Sequence, residues 1–165
     1  MAELPDMTAA ELMATREFLG LSKAWLAECT TVDERRIRRM ELGQEETIPA
    51  KIPKLLDEVY DDTTRTVKQL VEKYRLLAKT REVIEYPVYR NDDEYRKAHP
   101  HSRYPAGWHR MVAMRVADAV PEVALVFKEP FRVDRPPWAQ NGGRRRVPKV
   151  QEVGKGGGQP VSSRA

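Results

Sequence analysis

The chain has only one cysteine, Cys29, in 165 residues. One thiol cannot close an internal disulfide, which fits a reducing compartment. No run approaches the ~18 consecutive apolar residues that a membrane span needs. The opening Met1-Ala2-Glu3-Leu4-Pro5-Asp6 lacks the basic-then-apolar order of a secretory leader. These absences predict a cytoplasmic protein. No nucleophile-base set and no phosphate-binding glycine loop is found, so an enzyme is not expected. Gly156-Gly157-Gly158 follows Lys155 with neither strand nor helix around it and fails the test for a phosphate loop. A strong excess of one charge is missing too, since the net charge is +4.

What charge there is lies unevenly. From Pro130 onward there are eight basic and two acidic residues, which leaves the first 129 residues slightly acidic. Nucleic-acid binding by the folded part would need a local basic cluster. A hydrophobic fraction of 41% suffices for a core, and 33% charged residues imply a well-solvated surface. After Phe131 the composition changes. Pro136-Pro137, Gly142-Gly143 and the later glycines predict a disordered basic tail over 132–165.

The pattern before that tail predicts a mainly α fold with a small α+β C-terminal part. Thr8 and Glu11 form a capping box for a helix to Leu19, with Leu12, Thr15, Arg16 and Leu19 on one face. Gly20 stops it. Ser22 caps a second helix to about Cys29, with Leu26 and Ala27 inward. Asp33 caps a third over Glu34 to Leu42, ended by Gly43. Val32 and Ile37 make a hydrophobic staple across its start. Apolar positions from Ile52 to about Arg81 keep helical spacing, as one long helix or two joined near Asp61-Asp62-Thr63-Thr64, with Pro53 in the first turn. Glu82 to Tyr89 suits a strand, and Pro87 makes it an edge or bulged one. A short helix begins at Asp92-Asp93-Glu94. An amphipathic helix spans Ala106 to Val120, and a final strand runs from Glu122 to Phe127.

The third helix carries Arg35, Arg36, Arg38 and Arg39 around two apolar anchors, Ile37 and Met40. With the anchors inward, the arginines face out. A planar guanidinium can bond guanine O6 and N7 together, which suits a major-groove helix. The alternative is a solvated charged face. Thr8-Ala-Ala-Glu-Leu, Arg16-Glu-Phe-Leu-Gly-Leu-Ser22, Leu26-Ala27, Val32-Asp33-Glu34-Arg35, Arg38-Arg39-Met40-Glu41-Leu42-Gly43 and Ile48-Pro49 together resemble the lambda-repressor/Cro-like (Xre-type) helix-turn-helix over most of residues 7–60. That resemblance implies a DNA-binding domain over 1–60. The implied contacts are Ser22, Lys23, Glu34, Arg35, Arg36, Arg38, Arg39 and Gln44, with Ser22, Lys23 and Gln44 near phosphates. It also implies a buried, structural Arg16–Glu41 ion pair, and Met40 stands where the family often has tryptophan.

A linker helix is expected over 61–81 and a dimerisation domain over 82–131. The strand, short helix, Trp-bearing helix and closing strand form a thin layer that pairing with a second copy would cover. The expected interface is Tyr86, Tyr95, Trp108, Met111, Val112 and Val116. The run Asp93-Glu94-Tyr95, His99-Pro100 and Gly107-Trp108, then Ala113 and Ala117, resembles the C-terminal half of the YdiL-like family. That family includes the anti-CRISPR-associated autorepressors. The resemblance implies a bacterial or phage homodimer that represses its own operon at an inverted repeat. The linker helix and the tail depart from the family.

Other readings remain beside it. Trp108 could form an aromatic ligand platform, although core or interface suits an amphipathic helix better. His99, His101, His109 and Cys29 match no zinc spacing, and no metal or cofactor is expected. Asp61-Asp62 and Asp92-Asp93 sit where acids favour helix starts. The cluster Gly142 to Lys149 is either a solubilising tail or a nonspecific phosphate contact, with Trp138 stacking or tethering. A helix-turn-helix shape can instead bind a host protein or a toxin, and some relatives bind RNA.

Overall fold

The computed structural model describes residues 7–128. The expected tail over 132–165, with Trp138 and its basic cluster, lies outside them. Helix α1 spans Ala9–Phe18, α2 Lys23–Thr30, α3 Glu34–Glu41 and α4 Lys51–Ala78. Strand β1 (Ile84–Val88), α5 (Asp92–Ala98), α6 (Ala106–Ala119) and β2 (Val123–Phe127) complete the order. No helix among the described residues is long and apolar enough to cross a membrane.

The helix starts follow their local chemistry. Thr8 and Glu11 form the reciprocal capping box, and the Ser22 and Asp33 side chains accept from the N–H groups of Trp25 and Arg35. Asn91, rather than an aspartate, caps α5 by accepting from the Glu94 N–H. Between α2 and α3 the chain turns through Thr31 at φ 53°, in the left-handed region where a β-branched residue is rare.

The 28-residue helix α4 is continuous. Asp61-Asp62-Thr63-Thr64 does not break it, because none of these residues removes a backbone donor and the apolar stripe runs on through the stretch. Ile52, Leu56, Val59, Thr63 and Val71 form that buried stripe. The Thr63 hydroxyl donates to the Val59 carbonyl, 2.6 Å away, and its oxygen accepts from Trp108 Nε1 at 2.8 Å.

The two strands pair in parallel, Ile84 opposite Val123 through Val88 opposite Phe127. Parallel neighbours need a crossover, which α5 and α6 supply. Ile84, Tyr86 and Val88 point inward while Glu85 and Pro87 face solvent. Pro87 is therefore tolerated in a strand of a two-stranded sheet.

The segments expected as DNA-binding part, linker and pairing part share one principal core. Leu12, Leu26, Ile37 and Met40 belong to the same buried cluster as Leu56, Val59, Trp108, Val112 and Val116, and the chain to Lys128 is one compact unit. In α2 the inner face is Trp25, Leu26 and Thr30, with Ala27 only half-buried. At the α1–α2 turn, Gly20 (φ 68°) lies so close to Gly107 that a Cβ there would run into the Gly107 carbonyl.

Candidate nucleic-acid interface

Helix α3 is fixed from below. Val32 and Ile37 are both buried, as a staple requires, and Met40 and Glu41 complete the inner side. Helical spacing then turns Arg35, Arg36, Arg38 and Arg39 to solvent, and all four are exposed. Arg36 and Arg39 share the Glu45 carboxylate, at 3.3 and 2.8 Å. Both guanidinium groups remain about half exposed, so these are surface pairs of ~0–1 kcal/mol that a phosphate can replace. Arg35 and Arg38 form no ion pair among the described residues.

The other expected contacts are placed differently. Ser22 and Glu34 are exposed, but the Ser22 hydroxyl accepts from the Trp25 N–H as a cap. Lys23 Nζ lies 3.1 Å from the buried carboxylate of Glu41, which draws it away from the phosphate role expected of it. Gln44 is exposed, and its N–H donates to the Arg39 carbonyl.

Beneath this surface Arg16 and Glu41 form a two-pronged ion pair, from Nε to Oε1 and from Nη2 to Oε2, with both side chains almost wholly buried. Arg16 Nη1 also donates to the Leu21 carbonyl at 2.8 Å. One side chain thus ties α1, the α1–α2 turn and α3 together. Such a pair fixes geometry more than it adds net stability.

Behind α2, the indole of Trp25 donates to the Arg103 carbonyl at 2.9 Å. Its ring packs against Tyr104, which stacks on Trp108 with centroids 4.1 Å apart. Asp62 of α4 accepts from both the Tyr104 hydroxyl and Arg103. Those bonds, the Tyr104 one first, hold the Asp62 carboxyl below its ordinary range. Burial, then the bond to Asp62, pushes the Tyr104 phenol up to about 12. This bracket of Trp25, Asp62, Arg103, Tyr104 and Trp108 was not legible in the sequence, since its members lie far apart along the chain.

The expected dimer interface requires correction. Tyr86, Tyr95, Trp108, Val112 and Val116 are buried within the single chain, and only Met111 is partly exposed. Tyr86, Trp108, Val112 and Val116 share one core with α4 and the N-terminal helices, and Tyr95 is buried in a second cluster with Tyr89 and Ala106. Tyr86 stacks on Tyr74 of α4 at 5.3 Å, and Trp108 donates to Thr63. Trp108 is thereby a core residue and not an open ligand platform.

Of the histidines, His99 and His101 are exposed and His109 is buried; His99 and His109 meet with ring centroids 5.7 Å apart, beside Tyr86, Tyr89 and Tyr95. The Tyr89 hydroxyl lies 3.2 Å from His99 Nε2, whereas His109 Nδ1 is buried without a hydrogen-bond partner. Among the described residues no group of three or more His, Cys, Asp or Glu side chains is arranged to hold a metal ion.

No family model and no curated protein matches the chain. The resemblances to the Xre-type and YdiL-like families therefore rest on the residues quoted for them.

Proposed function

We propose that the protein is a sequence-specific DNA-binding transcriptional regulator that acts as a homodimer and represses at an inverted repeat. The observation that carries this is α3: a short helix pinned by Val32, Ile37, Met40 and the Arg16–Glu41 pair, with four arginines on its solvent side. Arg35 and Arg38, without ion pairs among the described residues, are the base-reading candidates. Arg36 and Arg39, held loosely by Glu45, suit phosphates. Ser22, Lys23, Glu34 and Gln44 border the surface, and Lys23 serves first to neutralise Glu41.

The test begins with selection of bound fragments from the source DNA, which returns the site and its symmetry. Arg35→Ala should then weaken specific binding by ~1–3 kcal/mol, roughly 5- to 150-fold, and leave the thermal melt unchanged. A variant that shifts the selected site at wild-type concentration refutes the assignment of α3 as the reading helix. If no fragment is enriched, a protein or RNA partner for the same surface becomes the better reading.

A further inference from the structure

The two strands leave unequal edges. The Ile84 N–H donates to the Glu122 carbonyl and the Lys128 N–H to the Val88 carbonyl. In a parallel ladder successive residues turn their amide groups to opposite sides. Glu85 and Pro87 therefore face the outer edge of β1, and the donor that Pro87 lacks is missing from that edge. On β2 the groups that face away from β1 belong to Val123, Leu125 and Phe127. The Val123 N–H is taken by the Val120 carbonyl at 3.0 Å. The N–H groups of Leu125 and Phe127 and the carbonyls of Val123, Leu125 and Phe127 have no partner among the described residues.

Little within the strand protects this outer edge. Val123-Ala124-Leu125-Val126-Phe127 contains no proline and no charge, and Phe127 stays 52% exposed although the Arg90 guanidinium lies over its ring at 4.6 Å. An apolar, unpaired edge is a template for another strand. We propose that the occupant is β2 of a second copy, antiparallel and centred on Leu125, so that the two small sheets join into one.

The sequence is self-complementary about that centre. Leu125 exchanges both backbone bonds with Leu125 of the second copy, and the Phe127 N–H donates to Val123 of the copy. Every unpaired donor on the edge is thereby matched. Ala124 then lies opposite Val126 of the copy, and Glu122 opposite Lys128, once on each side of the two-fold axis. Opposite charges face each other in both places, and neither Glu122 nor Lys128 has an ion-pair partner among the described residues. Glu122 and Lys128 share the solvent side with Ala124 and Val126, so they can be exchanged without disturbing the core. The pairing stands in for the interface that the chain has spent on its own core.

This inference rests on the homodimer in the proposed function and not on its DNA contact, so sedimentation of the full chain without DNA tests it separately. The wild type should dimerise reversibly with concentration. Glu122→Lys and Lys128→Glu, each placing like charges opposite each other twice, should each raise the dimer dissociation constant about tenfold or more. The double variant, with the charges swapped, should return towards wild type. Phe127→Pro removes an outward donor and should leave a folded monomer, with the melt as the check on folding. A wild type that stays monomeric at every concentration overturns the proposal. So does a dimer whose dissociation constant ignores both reversals, or a double variant no better than the singles.

Discussion

Replacing His109 with phenylalanine should make the protein resist acid. His109 is 8% exposed, its Nδ1 has no partner among the described residues, and its neighbours are Tyr86 and Tyr89 from and beside β1, Tyr95 of α5, His99 just after α5, and Arg110 on its own helix. Burial first, then the nearby His99 and Arg110, lowers its pKa from 6.5 to about 4. As pH falls below 6.5 the unfolded chain takes up a proton at this position and the folded chain does not, so stability drops until the folded group titrates near 4. The slope is ~1.4 kcal/mol per pH unit, which integrates to about 2 kcal/mol between neutrality and pH ~5 and to on the order of 3 kcal/mol over the whole window.

His109→Phe removes that slope and the unsatisfied nitrogen together, so the variant should lie within ~1 kcal/mol of wild type at neutral pH. Urea unfolding followed by tryptophan fluorescence at several pH values measures both proteins. The relevant quantity is the difference between them, because every other ionisable group is common to both. A wild-type-minus-variant difference that stays constant from pH ~7 to pH ~4.5 refutes the argument.

Two further substitutions probe the frame beneath α3. Glu41→Gln leaves the Arg16 guanidinium buried opposite a neutral amide, and should cost ~3–5 kcal/mol of unfolding free energy in denaturant titration. Arg16→Met with Glu41→Leu should recover much of that loss, because no charge then remains inside. Gly20→Ala puts a side chain into a left-handed backbone and against the Gly107 carbonyl. It should destabilise by roughly 2 kcal/mol or more, read as a lowered Tm, while Gly43→Ala, whose Cβ would meet Ala9 Cβ at an ordinary van der Waals 4.0 Å, should cost less.

The helices were legible where a cap or staple is written into a few adjacent residues. Thr8 with Glu11, Ser22, and Asp33 with Val32 and Ile37 each fix a start by chemistry within one turn, and the structure places them there. The outward direction of the α3 arginines follows from the same local spacing. What the sequence left open was which apolar face meets which. Tyr86, Trp108, Val112 and Val116 were rightly apolar-facing positions, yet periodicity cannot tell a neighbouring helix from a second copy. The burial of Thr63 within the α4 stripe goes with its acceptance of the Trp108 indole, a contact across 45 residues. The Asp62–Arg103–Tyr104 cluster and the Gly20–Gly107 approach likewise join distant positions that carry no local signal.

The bracket behind α2 also bears on how the molecule can be taken apart. Trp25 is anchored to the Arg103 carbonyl, and its ring rests on Tyr104. A fragment ending near residue 60 would strip that indole of its acceptor and lay bare the leucines of the first helices. The arginine-bearing head is thus no cassette to be grafted onto another protein. It travels only with the remainder of its scaffold, and a lesion in the loop before α6 should be felt, through Trp25 of α2, at the helix packed beside it.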